Sequence, residues 1–499
     1  MDLPIYFDYS ATTPCHPEVV EAMLPYFTSV YGNASSIHHP YGWIAENAIE
    51  EAREEVAELI GAEAKEILFT SGATEAINLA IKGLALSDKR KRNHLITIAT
   101  EHKAVLDTIE GLVSQGFECT CLPVNAQGEI SLDQLKSSFK TNTLMVVAMT
   151  ANNETGNLHP IKQMADLTKT YGAFGKIPLN VSDLGVDMLA LSAHKMYGPK
   201  GVGALYIRKG FPKIDLAAQI TGGGQEMGLR SGTLNVPGIV GLGKASSISL
   251  KNHMAECQRL VELRNKLETG LLKIEGSQRN GSSDRLPHVC NVSFNDILGK
   301  PLLIRINKKL AVSSGAACSS ISDKPSHVLT AMGLDKATAM ATLRLSLGKS
   351  TTEKEVDFAI DYIGKVVNAK ASCRVILGKE IMQSLNAVSE LVTKKGPVFQ
   401  TAIIAGTMGA KKTSDLIPLC HPIGMDDCKI TIEAVGEEEI LISCTTRVTG
   451  KTGVEMEAMT GVSVAALTIY DMCKGFSHDI VITEMKLEEK TGGKRDFKR

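Results

Sequence analysis

Between about Ile67 and Arg208, short apolar runs alternate with longer stretches whose apolar residues recur every three or four positions. Ile67–Thr70, His94–Ala99, Leu144–Met149, Met188–Ser192 and Gly203–Ile207 are apolar at consecutive positions, as strands buried on both faces are. Glu75–Leu86 and Pro160–Thr170 between them have helical spacing. That alternation predicts a parallel α/β sheet covered by helices. Residues 251–370 read as a smaller α/β lobe, with a long charged helix and strands at Cys290–Phe294 and Arg344–Leu347. The rhythm restarts near Ala369–Cys373. There follow an apolar segment Val398–Ala405, a hairpin pattern Lys429–Val435 and Ile440–Cys444, a long helix Val454–Lys474 and a strand Ile480–Glu484. This is compact α+β material, and it sets two domains, 1–370 and 371–499, without a Pro/Gly/Ser-rich linker.

Composition adds exclusions. The chain has 499 residues, 43% apolar and 22% charged, with a formal net charge of −1. That balance gives no electrostatic footprint for nucleic acid or membrane surfaces. No apolar run is long enough to span a bilayer, and the first residues lack the apolar core of a secretion signal. Eleven cysteines without a repeating spacing predict a reduced, cytoplasmic protein rather than a disulfide framework, and no spacing predicts a metal site.

Ser71-Gly72-Ala73-Thr74 follows a strand and opens a helix, where small residues and free N–H groups suit a phosphate. Lys195 follows Ser192-Ala193-His194 at the end of another strand, before Gly198-Pro199-Lys200-Gly201. A lysine there can lose water, lower its pKa and form a Schiff base. Taken singly, the first motif reads as an N-cap turn and the second as a surface lysine. Together they point to the carboxyl ends of the strands, where open α/β sheets hold ligands. Cys318, in Ser313-Ser314-Gly315-Ala316-Ala317-Cys318-Ser319-Ser320, lies in a run of small residues that favours an accessible, reactive thiolate over a buried one.

With Tyr6–Pro14, Thr100-Glu101-His102-Lys103-Ala104-Val105, Asn152-Asn153-Glu154, Leu191–Gly201 and Arg230-Ser231-Gly232-Thr233, these segments resemble the cysteine desulfurases. That family belongs to the pyridoxal phosphate (PLP)-dependent transferases of fold type I. The resemblance implies Lys195 as the Schiff-base lysine, with His102 stacked on the cofactor ring and Asn153 beside it. It implies phosphate contacts from Thr74, Ser192 and His194, with Thr233 reaching the cofactor of a second subunit. Arg344 would clamp the carboxylate of cysteine. Cys318 would take its sulfur as a persulfide, releasing alanine, and pass it to an acceptor protein.

One departure is conspicuous. The family continues from the helix ending near Tyr171-Gly172 into a buried strand whose Asp-Ala-x-Gln bonds the cofactor's ring nitrogen and hydroxyl. Here Tyr171-Gly172-Ala173-Phe174-Gly175 runs straight into the following segment, so a central strand is expected to be missing near 173–175. Losing it should open the sheet or force a change of register, and losing the carboxylate should weaken the electron sink and impair PLP binding.

The C-terminal residues resemble cyclic pyranopterin monophosphate synthase, molybdenum cofactor biosynthesis protein C. The resemblance rests on Lys395-Gly396, Asp415–Pro422, Thr449–Met459 and Ala465–Lys474. It implies a ferredoxin-like α+β fold and a lyase that converts 3′,8-cyclo-7,8-dihydro-GTP, a cyclised GTP derivative, to cyclic pyranopterin monophosphate and pyrophosphate. Lys395, His421, Glu455, Glu457, Asp471 and Lys474 fall on its active-site positions. The two resemblances imply a fusion for molybdenum cofactor biosynthesis, a homo-oligomer that is a dimer or a hexamer, with an active synthase half. The alternative makes the N-terminal half a catalytically impaired scaffold.

Overall fold

The computed structural model describes residues 4–167, 170–173, 180–211, 213–274, 276–294, 303, 306–314, 324–364, 366–385, 390–425, 427–449, 453–491 and 497–499. The chain divides into two compact units, Met1–Asp357 and Phe358–Arg499. Residue 370, where the sequence places the boundary, falls within a strand of the second unit.

Among the described residues of the first unit, seven strands form one sheet: Ile67–Thr70 (β1), His94–Ile98 (β2), Glu118–Leu122 (β3), Thr143–Val147 (β4), Thr170–Ala173 (β5), Met188–Ser192 (β6) and Gly203–Ile207 (β7). Their order is β1-β7-β6-β5-β4-β2-β3. β7 runs antiparallel to both its neighbours and the other pairs are parallel. Alternate side chains divide between two cores, as the pleat requires. Ile67, Phe69, Ile96, Ile98, Val146, Leu189 and Leu191 pack with Pro40–Ile60 (α1) on one face. Leu68, Leu95, Met145, Val147, Met188 and Leu205 pack with Ala73–Ser87 (α2) and Lys103–Val113 (α3) on the other. Helices on both faces leave the carboxyl ends of the parallel strands open at one edge, and the site forms there.

The expectation of an opened sheet is corrected. The slot between β4 and β6 is filled by β5, drawn from residues the sequence pattern assigned to a helix end and its turn. Val147 lies opposite Tyr171 on one side, and Tyr171 opposite Met188 on the other. An empty slot would leave a row of unpaired N–H and C=O groups on both neighbours. Pairing them outweighs one turn of helix over Thr170-Tyr171, residue types that accept extended backbone. β5 fills the slot without an acid, because its residues are Thr, Tyr, Gly and Ala. Phe174 and Gly175 lie outside the described residues.

Gly203 opens β7 where the chain passes behind the start of α2. A Cβ there would lie 2.4 Å from the Leu191 carbonyl oxygen and 2.7 Å from the Gly72 Cα, both of them backbone. Gly203→Ala should therefore push the α2 N-terminus away from β6. The expected cost is about 1–3 kcal/mol, together with weaker phosphate binding in an equilibrium-dialysis measurement.

The smaller lobe carries the antiparallel strands Ser277–Arg279 (β8), Val289–Phe294 (β9) and Thr342–Ser346 (β10). In the second unit, Val366–Ile376 (β11), Asp427–Val435 (β12), Glu439–Thr449 (β13), Val481–Thr491 (β14) and Phe497–Lys498 (β15) form an antiparallel sheet. Its order is β12-β13-β11-β14-β15. Val398–Lys411 (α4) and Glu455–Cys473 (α5) pack on it. Ala371, Cys373, Ile442, Ala458, Val462, Ala465 and Ile469 form the core between helices and sheet. A Cβ on Gly406 would lie 2.7 Å from the Gly461 carbonyl oxygen, so α4 and α5 touch at backbone level.

Candidate functional sites

In the first unit the strand ends and the turns that follow them enclose a cavity of about 530 Å³. Thr74, His102, Asn153, Ser192, His194 and Lys195 all line it, so six residues spread over the chain converge on one hollow. Thr74 lies in the first turn of α2, whose opening N–H groups have no partner within the helix. Ser192 ends β6, and Lys195 closes the single turn after it. That turn is anchored from the N-terminal segment. Thr13 bonds the His194 carbonyl through both its backbone N–H (2.9 Å) and its hydroxyl (2.8 Å). The Tyr197 N–H then donates to the Thr13 hydroxyl oxygen at 2.9 Å.

The electrostatics suit an uncharged imidazole beside a lysine. Burial lowers the pKa of His102, and the Lys195 and His327 charges lower it further. His194 is lowered by burial, then by Lys195 and Lys200. His102 Nδ1 accepts the Ala104 N–H at 3.0 Å, which assigns its proton to Nε2.

Glu101, beside His102, also lines the cavity and is fully buried. Its carboxylate accepts the backbone N–H of Met149 and that of His102 (3.2 Å). Burial nevertheless pushes its pKa up to about 8. Sequence reasoning gave it no role, although it sits in the quoted Thr100–Val105 stretch.

Arg344, wholly buried on β10, does not line the cavity but borders it. Its guanidinium donates to the Asn153 carbonyl (3.1 Å), the Ser313 hydroxyl (3.1 Å) and Asp8 Oδ1 (2.7 Å). Nε has no partner among the described residues. The fork thus joins the cavity wall to the N-terminal segment and to the chain leading toward Cys318, which itself lies outside the described residues. Arg344→Met would strand Asp8 and should destabilise the first unit by about 3 kcal/mol, read as an earlier unfolding transition in calorimetry. Thr233 is exposed and does not line the cavity.

The second unit does not gather its six candidates in one place. Lys395 Nζ and Lys474 Nζ each lie 2.8 Å from a carboxylate oxygen of Asp471, near the end of α5. Hydrogen bonds from the two ammonium groups hold Asp471 down at about 2. Glu455 and Glu457 stand in the first turn of the same helix, about 21–24 Å away at 1.5 Å per residue. Glu455 pairs with Lys490 at 2.6 Å. One carboxylate oxygen on each of Glu455 and Glu457 is buried without a partner among the described residues. Burial, then Glu455, raises the pKa of Glu457. His421 is exposed on the loop after α4.

Comparison with known proteins follows the same division. Residues 5–358 match the family Aminotransferase class-V, and residues 364–493 match the MoaC family. The cysteine desulfurase IscS of Anaeromyxobacter sp. (strain K) is 50% identical over 378 residues, which is 74% of this chain and 93% of that protein. A solved NifS-like protein superposes with a TM-score of 0.67 at 37% identity, over 72% of this chain and 98% of its own. SspA, solved in complex with cysteine, gives 0.62 at 38% identity, over 69% and 98%. Among the described residues, no helix is long and apolar enough to cross a membrane.

Proposed function

The chain belongs to the cysteine desulfurases of the class-V aminotransferase family and carries a MoaC-family domain behind them, and from that premise we propose a bifunctional enzyme of molybdenum cofactor biosynthesis. Its first unit mobilises sulfur from cysteine. Its second converts 3′,8-cyclo-7,8-dihydro-GTP to cyclic pyranopterin monophosphate and pyrophosphate. The observation that carries the first half is the convergence of Lys195 with His102, Asn153, Thr74, Ser192 and His194 on one cavity.

The donor set fits pyridoxal phosphate. Hydroxyls and N–H groups at the start of α2 and the end of β6 suit its phosphate, the Lys195 amine its aldehyde, and the neutral His102 ring its flat face. Bound there, the cofactor supplies an electron sink for bonds made and broken at the substrate's α and β carbons. Lys195 would carry protons to and from the substrate. Arg344 orients the substrate carboxylate from behind Asn153. Cys318 takes the sulfur: its thiol and cysteine become a persulfide and alanine, which balances atoms and electrons. The persulfide then serves an acceptor protein.

In the second unit, Lys395 and Lys474 bind the substrate's phosphates, Asp471 orients both ammonium groups, and Glu455, Glu457 and His421 move protons. The separation of the two groups along α5 supports completion of each site by a second copy, hence a homo-oligomer. The succession β11-α4-β12-β13-α5-β14 supports the ferredoxin-like reading of this unit.

The lack of an acid on β5 favours a second reading, in which the first unit is a scaffold and only the second is catalytic. Two assays on the full chain separate them. Cysteine should yield alanine, and the cyclised GTP derivative should yield pyrophosphate. Pyrophosphate without alanine would establish the scaffold.

A further inference from the structure

A PLP site needs a group facing the ring nitrogen, an acid where the nitrogen is to be protonated. β5 offers none. Asp183, on a short helix after it, is exposed. Asp187 precedes β6 at the end of that strand away from the cavity, and is paired with Arg208 at 2.7 Å. Two carboxyls line the cavity among the described residues, Glu75 and Glu101. Glu75 is committed to the phosphate end, paired with Arg230 at 2.9 Å and accepting the Ser71 N–H at 2.8 Å.

Glu101 remains. It accepts only backbone N–H groups, and no ion pair is made with it among the described residues. Its place is set by the fold. The carboxylate bonds the Met149 N–H, two residues beyond β4, and the register that sets Val147 opposite Tyr171 puts Met149 level with the end of β5. It stands next in sequence to His102, the ring assigned to stack on the cofactor. The loop holding both is pinned, because Asn152 donates to the Thr100 carbonyl (3.0 Å) and His327 Nε2 to the Glu101 carbonyl (2.8 Å).

We propose that Glu101 is the ring-nitrogen acid of this chain, taking over across the β4–β5 edge the task that β5 has no residue to perform. The proposal rests on the reading of the first unit as a pyridoxal phosphate site. A carboxylate beside the ring nitrogen would accept its N–H and favour the protonated nitrogen, and the ring's positive charge would in turn favour the ionised carboxylate, leaving an ion pair in place of a buried lone acid. No redox change or further reactant is involved.

The test is made on the full chain loaded with pyridoxal phosphate carrying ¹⁵N in its ring. Expected is a protonated nitrogen in the wild type and an unprotonated one in Glu101→Gln at unchanged cofactor stoichiometry, with Asp183→Asn, an exposed acid outside the cavity, like the wild type. A bare nitrogen in the wild type, or an unchanged signal in Glu101→Gln, would overturn the proposal. A second measurement needs no variant. The wild-type apoprotein should bind pyridoxal phosphate about tenfold or more tightly than the analogue with CH in place of the ring nitrogen, and equal affinity would overturn the proposal. Failure to bind the cofactor at all would overturn the pyridoxal phosphate reading as well, whereas a bound cofactor with a bare nitrogen would overturn only the assignment to Glu101.

Discussion

Lys195→Ala is expected to abolish cysteine-dependent alanine release, by at least about a thousandfold, or ~4 kcal/mol of transition-state stabilisation. Lys195 closes the turn after β6, and its charge lowers the pKa values of His102 and His194. Alanine removes both the amine that would anchor the aldehyde and the base that would move the substrate's proton. The turn should survive the change, because Thr13 holds it through the His194 carbonyl and the Tyr197 N–H. Unfolding temperature and pyrophosphate production should therefore match the wild type. Loss of both activities together would point instead to a fold defect.

Asp471→Asn should cost the second activity about 10²-fold or more, the scale for misplacing groups that position a substrate, while alanine release continues unchanged. The carboxylate is shared by Lys395 and Lys474, each at 2.8 Å. With its pKa held at about 2, it stays ionised throughout neutral and mildly acidic solution. Loss of pyrophosphate production below pH 7 therefore cannot come from Asp471 taking a proton. It should instead follow groups with higher pKa values, and Glu457, raised by burial, is protonated earlier as pH falls. Asparagine leaves two ammonium groups around a neutral amide, so they should repel and part. Lys474→Ala should lose activity to a similar extent. Wild-type pyrophosphate production in either variant would remove this cluster from the chemistry.

Five strands of the large sheet were legible because they are buried on both faces, whereas β3, largely exposed and without an apolar run, was not. Ile67–Thr70, Met188–Ser192 and Gly203–Ile207 begin and end where their apolar runs do. β5 was not legible, because Thr170-Tyr171-Gly172-Ala173 has no apolar run and is held as a strand by pairing with both neighbours, a tertiary effect that overrides local pattern. In the same way Val398–Ala405 read only as an apolar segment, while in the fold it is the first part of α4, packed against α5. Thr74, Ser192, His194 and Lys195 were legible through motifs that end a strand or open a helix, while His102 and Asn153 came only from the family resemblance. The Arg344–Asp8 pair was not, since 336 residues separate the partners. The Asp471–Lys474 pair follows from helical spacing, but Lys395, 76 residues away, joins it only in the fold. Glu101 was in view as a letter of a motif. Its burial and its two backbone partners, which define its chemistry, belong to the folded state.

The absorption spectrum of the purified full chain, taken with pyridoxal phosphate and then with cysteine while alanine is assayed, tests the central claim most directly. The account predicts a yellow Schiff-base band at one cofactor per chain, a change of that band on adding cysteine, and release of alanine. A protein that stays colourless with added cofactor and releases no alanine would contradict it.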